Sequence, residues 1–310
     1  MNFQHFLNVG EVYMKIFQRV DDVKSDFCTF PRSFEKYRWY KPILVAVLTF
    51  IFYFILSILC DVLFGIFFPE LFSSSLLYNP NSSPGLETVE GIYTSINIAI
   101  IIPSFFISSM VVRDRPFSSY LSSRGGWNWE IFVKSSVIAL IAYGIITLVE
   151  FLIFGVEFDN KFTILTLLAM IIVTLFQSFA EELMCRGFLM QTLGSWFRIP
   201  VVAIILQALF FTVIHSYNIM GLVDVLFSGL CYGVIAWYCD GLEVSSALHS
   251  VHNIIVFLTA GLTATELSNN ITFEGSLEGI LISLAAIAAI FLIDRKYNWI
   301  GLKRDNSVSE

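Results

Sequence analysis

Glu181 and Glu182 stand side by side in Phe179-Ala-Glu-Glu-Leu-Met-Cys-Arg-Gly-Phe-Leu-Met190, after about eighteen almost wholly apolar residues that begin near Phe162. An acid pair at the edge of such a run is costly unless it is partnered or faces water, which marks it as a functional candidate. On a helix Glu182 and Arg186 are i and i+4, the favourable order for an ion pair. Glu181 points about 100° away around the helix, and its own i+4 neighbour is Cys185. The spacing therefore holds Glu182 and leaves Glu181 without a charged partner. A free, partly desolvated carboxylate suits a general base acting on water. The same two acids could instead cap a helix end at the lipid headgroups.

The histidines are His5, His215, His249 and His252. Gln207, Phe211 and His215 recur at i, i+4 and i+8, so they share one helix face. His249 and Asn253 are also i and i+4, which sets an imidazole beside a carboxamide, with His252 as a neighbour. A single histidine in an apolar helix is commonly a packing residue. Polar groups on several apolar helices at once each need a partner, and a shared site is the economical source of one. There is no HExxH pair and no GxSxG elbow. Glu181, His215 and His249 could still supply three zinc ligands with an open position, so a divalent metal stands as the alternative to a mechanism that requires no cofactor. Asp224 and Glu150 read as helix-end or hydrogen-bonding residues.

These residues need helices to carry them. The chain of 310 residues is 56% hydrophobic and only 14% charged, against about a quarter charged for a soluble domain. Eight apolar stretches, at about 43–67, 92–112, 131–154, 162–180, 199–215, 219–238, 244–262 and 278–293, approach the ~20 residues of a spanning helix. The expected fold is all-α: a polytopic membrane domain over 42–294 with its core at 163–258. An N-terminal tail, 1–41, and a C-terminal tail, 295–310, flank it. Apolar residues at helical spacing over 3–24 predict an amphipathic helix lying on the membrane or against a partner. All the Lys and Arg residues except Lys161 fall in the tails, in alternate connections or, for Lys134, at the start of the span that follows one. By the positive-inside rule both termini are expected in the cytoplasm of a multi-pass integral membrane protein, in the cell membrane if the source is prokaryotic. No signal peptide is expected. The five cysteines show no CxxC spacing, and no basic patch suggests nucleic acid. Gly229 and Gly233 form a GxxxG, a weak sign of close helix contact.

Taken together, Glu181-Glu182-x-x-x-Arg186, Phe211-x-x-x-His215 and His249-x-x-x-Asn253 resemble the signature of the CAAX prenyl endopeptidase and bacteriocin-processing or immunity family. The resemblance covers about 163–258. It implies an intramembrane endopeptidase acting on a membrane-associated, prenylated or leader peptide, in a family whose members are often described as metalloproteases. It further implies that Glu181 and His215 activate a water, that His249 and Asn253 stabilise the oxyanion, and that Glu182, Arg186 and Phe211 orient the site. A non-catalytic immunity or scaffold protein and a proton-coupled transporter are the alternatives.

One difficulty is geometric. Glu181 falls near one end of the fourth stretch and His215 near the opposite end of the fifth, roughly 25 Å from Arg198 at ~1.5 Å per residue. The catalytic reading requires the fourth helix to run deeper and the fifth to start beyond it or tilt. With His215 at the far surface, that reading fails.

Overall fold

A computed structural model describes residues 15–22, 26–69, 71, 85–264 and 267–300. Every apolar stretch is helical, as its composition demands. In chain order the helices are α1 (Lys41–Phe67), α2 (Val89–Ala99), α3 (Ile101–Val112), α4 (Trp129–Phe154) and α5 (Ile164–Glu182). A π-helical segment, Leu183–Met190, leads into α6 (Gln191–Phe197), followed by α7 (Pro200–Val213), α8 (Ile219–Tyr238), α9 (Glu243–Leu262) and α10 (Phe273–Tyr297). Among the described residues the only β pairings are isolated bridges, Ser122 to Gly241 and Phe158 to Thr263. The protein is an all-α polytopic membrane protein, and among the described residues seven helices, or continuous helical rods, are long and apolar enough to span. The eighth stretch, Pro200–Val213, is apolar but has 14 residues.

Local chemistry sets the helix starts. Asn128 accepts from Glu130 N and Ile131 N at the head of α4. Thr163 and Thr166 form a reciprocal capping box at the head of α5, which occupies donors that otherwise have no intrahelical acceptor. Pro200 opens α7 at a position where its missing N–H costs nothing.

The fourth stretch ends later than its apolar run suggests. From Ile164 the chain stays helical to Phe197, 34 residues, through the π segment. The eight residues of that segment and the seven of α6 carry the chain away from Glu182. The 14 residues of α7 then bring it back. Each leg is on the order of 20 Å, so Phe211 and His215 return to the level of the acid pair. Side chains also lean toward their own helix's N-terminus. Glu181 on the descending α5 therefore inclines toward the level of His215, which stands just past the top of the ascending α7. The long fourth helix and the deep start of the fifth are both present.

The segment before α1 packs under this turn. Arg32 Nη1 donates to Ser195 O at 2.7 Å, Tyr37 Oη lies 2.8 Å from Ser195 Oγ, and Trp196 Nε1 donates to Trp39 O at 3.0 Å. Most of the expected amphipathic helix at 3–24 lies outside the described residues. Its described part docks on protein: Ile16 is buried, and Val20 N donates to Arg198 O at 2.7 Å. Gly194 permits the contact, since a Cβ there would lie 2.5 Å from both Cys28 Cβ and Cys28 O. Because one of those atoms is backbone, Gly194→Ala is expected to destabilise by about 1–3 kcal/mol. Thermal denaturation in detergent measures it, and an unchanged melting temperature would refute the tight packing of this segment.

The connection between α3 and α4 is equally fixed. Arg115 Nη1 donates to Gln191 Oε1, and its guanidinium lies 3.5 Å from the Tyr120 ring centroid. Tyr120 Oη donates to Asp114 at 3.0 Å. Burial pushes the Tyr120 phenol up to about 12. Further along, Arg124 pairs with the fully buried Glu243 at 2.9 Å, and Asn128 N donates to the other oxygen of that carboxylate. The foot of α9, and with it the height of His249, is tied to the end of the molecule where the basic connections gather.

Candidate active site

α5 and α9 run antiparallel in register, so Ser178 lies opposite Asn253 and Glu182 opposite His249. Asn253 Nδ2 donates to Ser178 Oγ at 3.3 Å. His249 Nδ1 lies 3.0 Å from Glu182 Oε1, and its Nε2 lies 3.5 Å from Glu181 Oε2. One imidazole thus spans both acids. Arg186 Nη1 donates to the same Glu182 oxygen at 2.8 Å, as the i, i+4 spacing predicts. The expectation that the Glu181 carboxylate is left free is corrected here. Gln177 Nε2 donates to Glu181 Oε1 at 3.3 Å, and His249 approaches from a second helix. Spacing along α5 alone could not show the latter.

Burial separates the two acids. Glu182 and Arg186 are fully buried, whereas the Glu181 side chain keeps 12% of its surface exposed. Arg186 has further contacts: Nη2 donates to Gly229 O at 3.3 Å, and the guanidinium carbon lies 4.5 Å from the Phe211 ring and 5.4 Å from Tyr232. The GxxxG of α8 finds its use here. A Cβ on Gly229 would stand 3.2 Å from Ala208 Cα, and the close approach brings Gln207 Nε2 to the Gly229 carbonyl at 2.8 Å.

Phe211 joins the second motif to the other two. Its ring centroid lies 4.6 Å from that of His215 and 6.1 Å from that of His249, edge-on to both. Tyr232 stacks on His249 at 5.4 Å. His215 Nδ1 lies 2.6 Å from Phe211 O. A carbonyl can only accept, so Nδ1 carries the proton and the Nε2 lone pair is left to accept from a water or a substrate. His252 turns away to the ring of Tyr143, 5.5 Å off. Among the described residues no group of three or more His, Cys, Asp or Glu side chains is arranged to hold a metal ion.

Glu181, Glu182, Arg186, Phe211, His215, His249 and Asn253 thus form one connected cluster between α5, α7, α8 and α9. Sequence reasoning passed over Gln177, Ser178 and Tyr232. Gln177 and Ser178 sit four residues before Glu181 and Glu182, so the spacing that paired Glu182 with Arg186 could have found them.

Comparison with known proteins finds a likeness over the same part of the chain. Residues 163–255, the segment that carries the site, match the family described as Type II CAAX prenyl endopeptidase Rce1-like. Among curated proteins the chain is similar to the uncharacterized protein YyaK of Bacillus subtilis (strain 168). The two are 22% identical over 207 residues, 63% of this chain and 69% of that one. No solved structure matches the chain.

Proposed function

We propose that this protein is an intramembrane endopeptidase that hydrolyses a peptide bond of a membrane-associated peptide. The observation that carries the reading is the meeting of both acids on His249, with His215 brought to the same cluster through Phe211. Water sits between Glu181 and the free Nε2 of His215. Glu181 takes a proton as the water oxygen attacks the peptide carbonyl carbon, and the carbonyl oxygen becomes an oxyanion. His249, held through Nδ1 by Glu182, stabilises that oxyanion through its Nε2 edge, with the Asn253 carboxamide beside it. Glu181 then returns its proton to the leaving nitrogen as the C–N bond breaks, giving a carboxylic acid and an amine. Removing one such oxyanion donor typically costs about 10²–10³-fold in kcat.

The family description points to a prenylated CAAX tail, and a leader peptide or bacteriocin precursor has the same membrane-tethered chemistry. The distribution of Lys and Arg supports cytoplasmic termini, which would place the cut near that face. The test is purified protein in vesicles with a panel of prenylated, leader-type and unmodified amphipathic peptides, the products read by mass spectrometry. Defined cleavage of one class is expected. No cleavage of any class, with the fold intact, would favour an immunity or scaffold role. Proton-coupled solute uptake without cleavage would favour the transporter. Activity lost to a chelator and restored by zinc would assign the metal alternative, with Glu181, His215 and His249 as its first candidate ligands.

A further inference from the structure

The mechanism needs the His215 ring held with Nε2 toward the acid pair, yet His215 lies past the end of α7, in the link to α8, and is only half-buried. The Nδ1 bond to Phe211 O fixes one point of the ring. A second constraint comes from Tyr217. Its ring lies nearly parallel to that of His215, 14° between planes and 6.0 Å between centroids, within the range of an offset stack.

Tyr217 is itself braced. Asn218 Nδ2 donates to Ile271 O at 2.8 Å, its Oδ1 accepts from Ile271 N at 3.2 Å and from Gly221 N at 3.0 Å, and its backbone N donates to Asn269 O. One carboxamide thus caps α8 and grips the connection between α9 and α10 at once. Gly221 completes the cradle: a Cβ there would stand 2.7 Å from Tyr217 Cβ and 3.1 Å from Ile271 Cγ1. The effect of this bracing is to hold one aromatic face against His215.

We infer that Tyr217 is a positioning residue for His215, holding the imidazole by its face while Phe211 holds it by edge and carbonyl. The inference rests on the peptidase reading. It assigns the work to the ring of Tyr217, the phenol oxygen being dispensable. Burial, and then the charges of Glu181 and Asp224, push that phenol above its ordinary range, so it stays neutral and adds no charge to the site.

The experiment compares four variants of the vesicle-reconstituted full chain on whichever peptide the wild type cleaves. His215→Ala reports on the underlying reading and should lose nearly all activity. Tyr217→Phe keeps the stack and should stay within about twofold of wild type in kcat. Tyr217→Leu removes the stack, and Gly221→Ala displaces the ring without altering it. Both should lose about tenfold or more in kcat with KM little changed, since misplacement of a reacting group by about 1 Å can cost 10²-fold. If His215→Ala is inactive while Tyr217→Leu and Gly221→Ala match wild type, the peptidase reading stands and the positioning role is wrong. The role is also overturned if Tyr217→Phe falls as far as Tyr217→Leu, because the hydroxyl would then carry the effect. A full-activity His215→Ala would instead remove the reading on which the inference rests.

Discussion

Glu181→Gln is expected to abolish peptide cleavage, with kcat lowered by about 10²–10⁴-fold, the range for loss of a general base, and with folding stability close to wild type. The two halves of that expectation come from the same geometry. Glu181 is the acid that retains exposed surface, and its partners are a long bond from Gln177 at 3.3 Å and the His249 Nε2 at 3.5 Å. A glutamine has the same shape and an oxygen that still accepts from Gln177, so little packing is lost. What it lacks is the ability to take a proton from water at neutral pH. Glu182→Gln should behave differently. It removes charge from a fully buried oxygen that Arg186 and His249 share, so it should lower melting temperature and activity together. Measuring kcat, KM and melting temperature for both variants separates the roles. Equal cleavage by Glu181→Gln and wild type would end the assignment of Glu181 as the base.

Much of the fold was legible because membrane helices announce themselves. A run such as Lys41–Phe67 has no other stable way to satisfy its backbone in lipid. The pairing of Glu182 with Arg186 was legible for a different reason: both residues lie on one helix, where spacing alone sets the distance. What could not be read depends on packing between elements. Nothing in the order of residues shows that His249, sixty-seven positions from Glu182, would bridge both acids. The resemblance assigned that imidazole to the oxyanion, and the contact to Glu182 adds what keeps it in place. The π winding of Leu183–Met190 left no trace in composition either, since it reflects a shift of backbone hydrogen bonds that many sequences accept. Yet that segment belongs to the rod that takes the chain past Glu182 and so lets α7 bring His215 back level. The apparent conflict in depth was a matter of where α7 begins. The docking of Ile16 and Val20 on protein was hidden for a similar reason: an apolar stripe shows that a face will be covered and leaves open by what.

Arg186→Met is expected to destabilise the protein by about 3–5 kcal/mol, the typical cost of removing one partner from a buried ion pair. Arg186 is fully buried, and its loss strands the Glu182 carboxylate and withdraws a donor from the Gly229 carbonyl. Methionine fills part of the space between Phe211 and Tyr232, so the cost is chiefly electrostatic rather than a cavity. That distinction can be tested by adding Glu182→Leu. With both members gone neither leaves its opposite charge stranded, and replacement of a buried pair by apolar residues is often neutral or stabilising. The double variant should therefore regain most of the lost melting temperature. It should not regain activity, because His249 Nδ1 would have lost the oxygen that fixes the ring. Recovery of stability without catalysis would show that the pair is kept for the placement of His249. Recovery of both would mean that His249 needs no anchor at Nδ1. If the double variant is no more stable than Arg186→Met, the arginine's packing between two aromatic rings, and not its charge, dominates at this position.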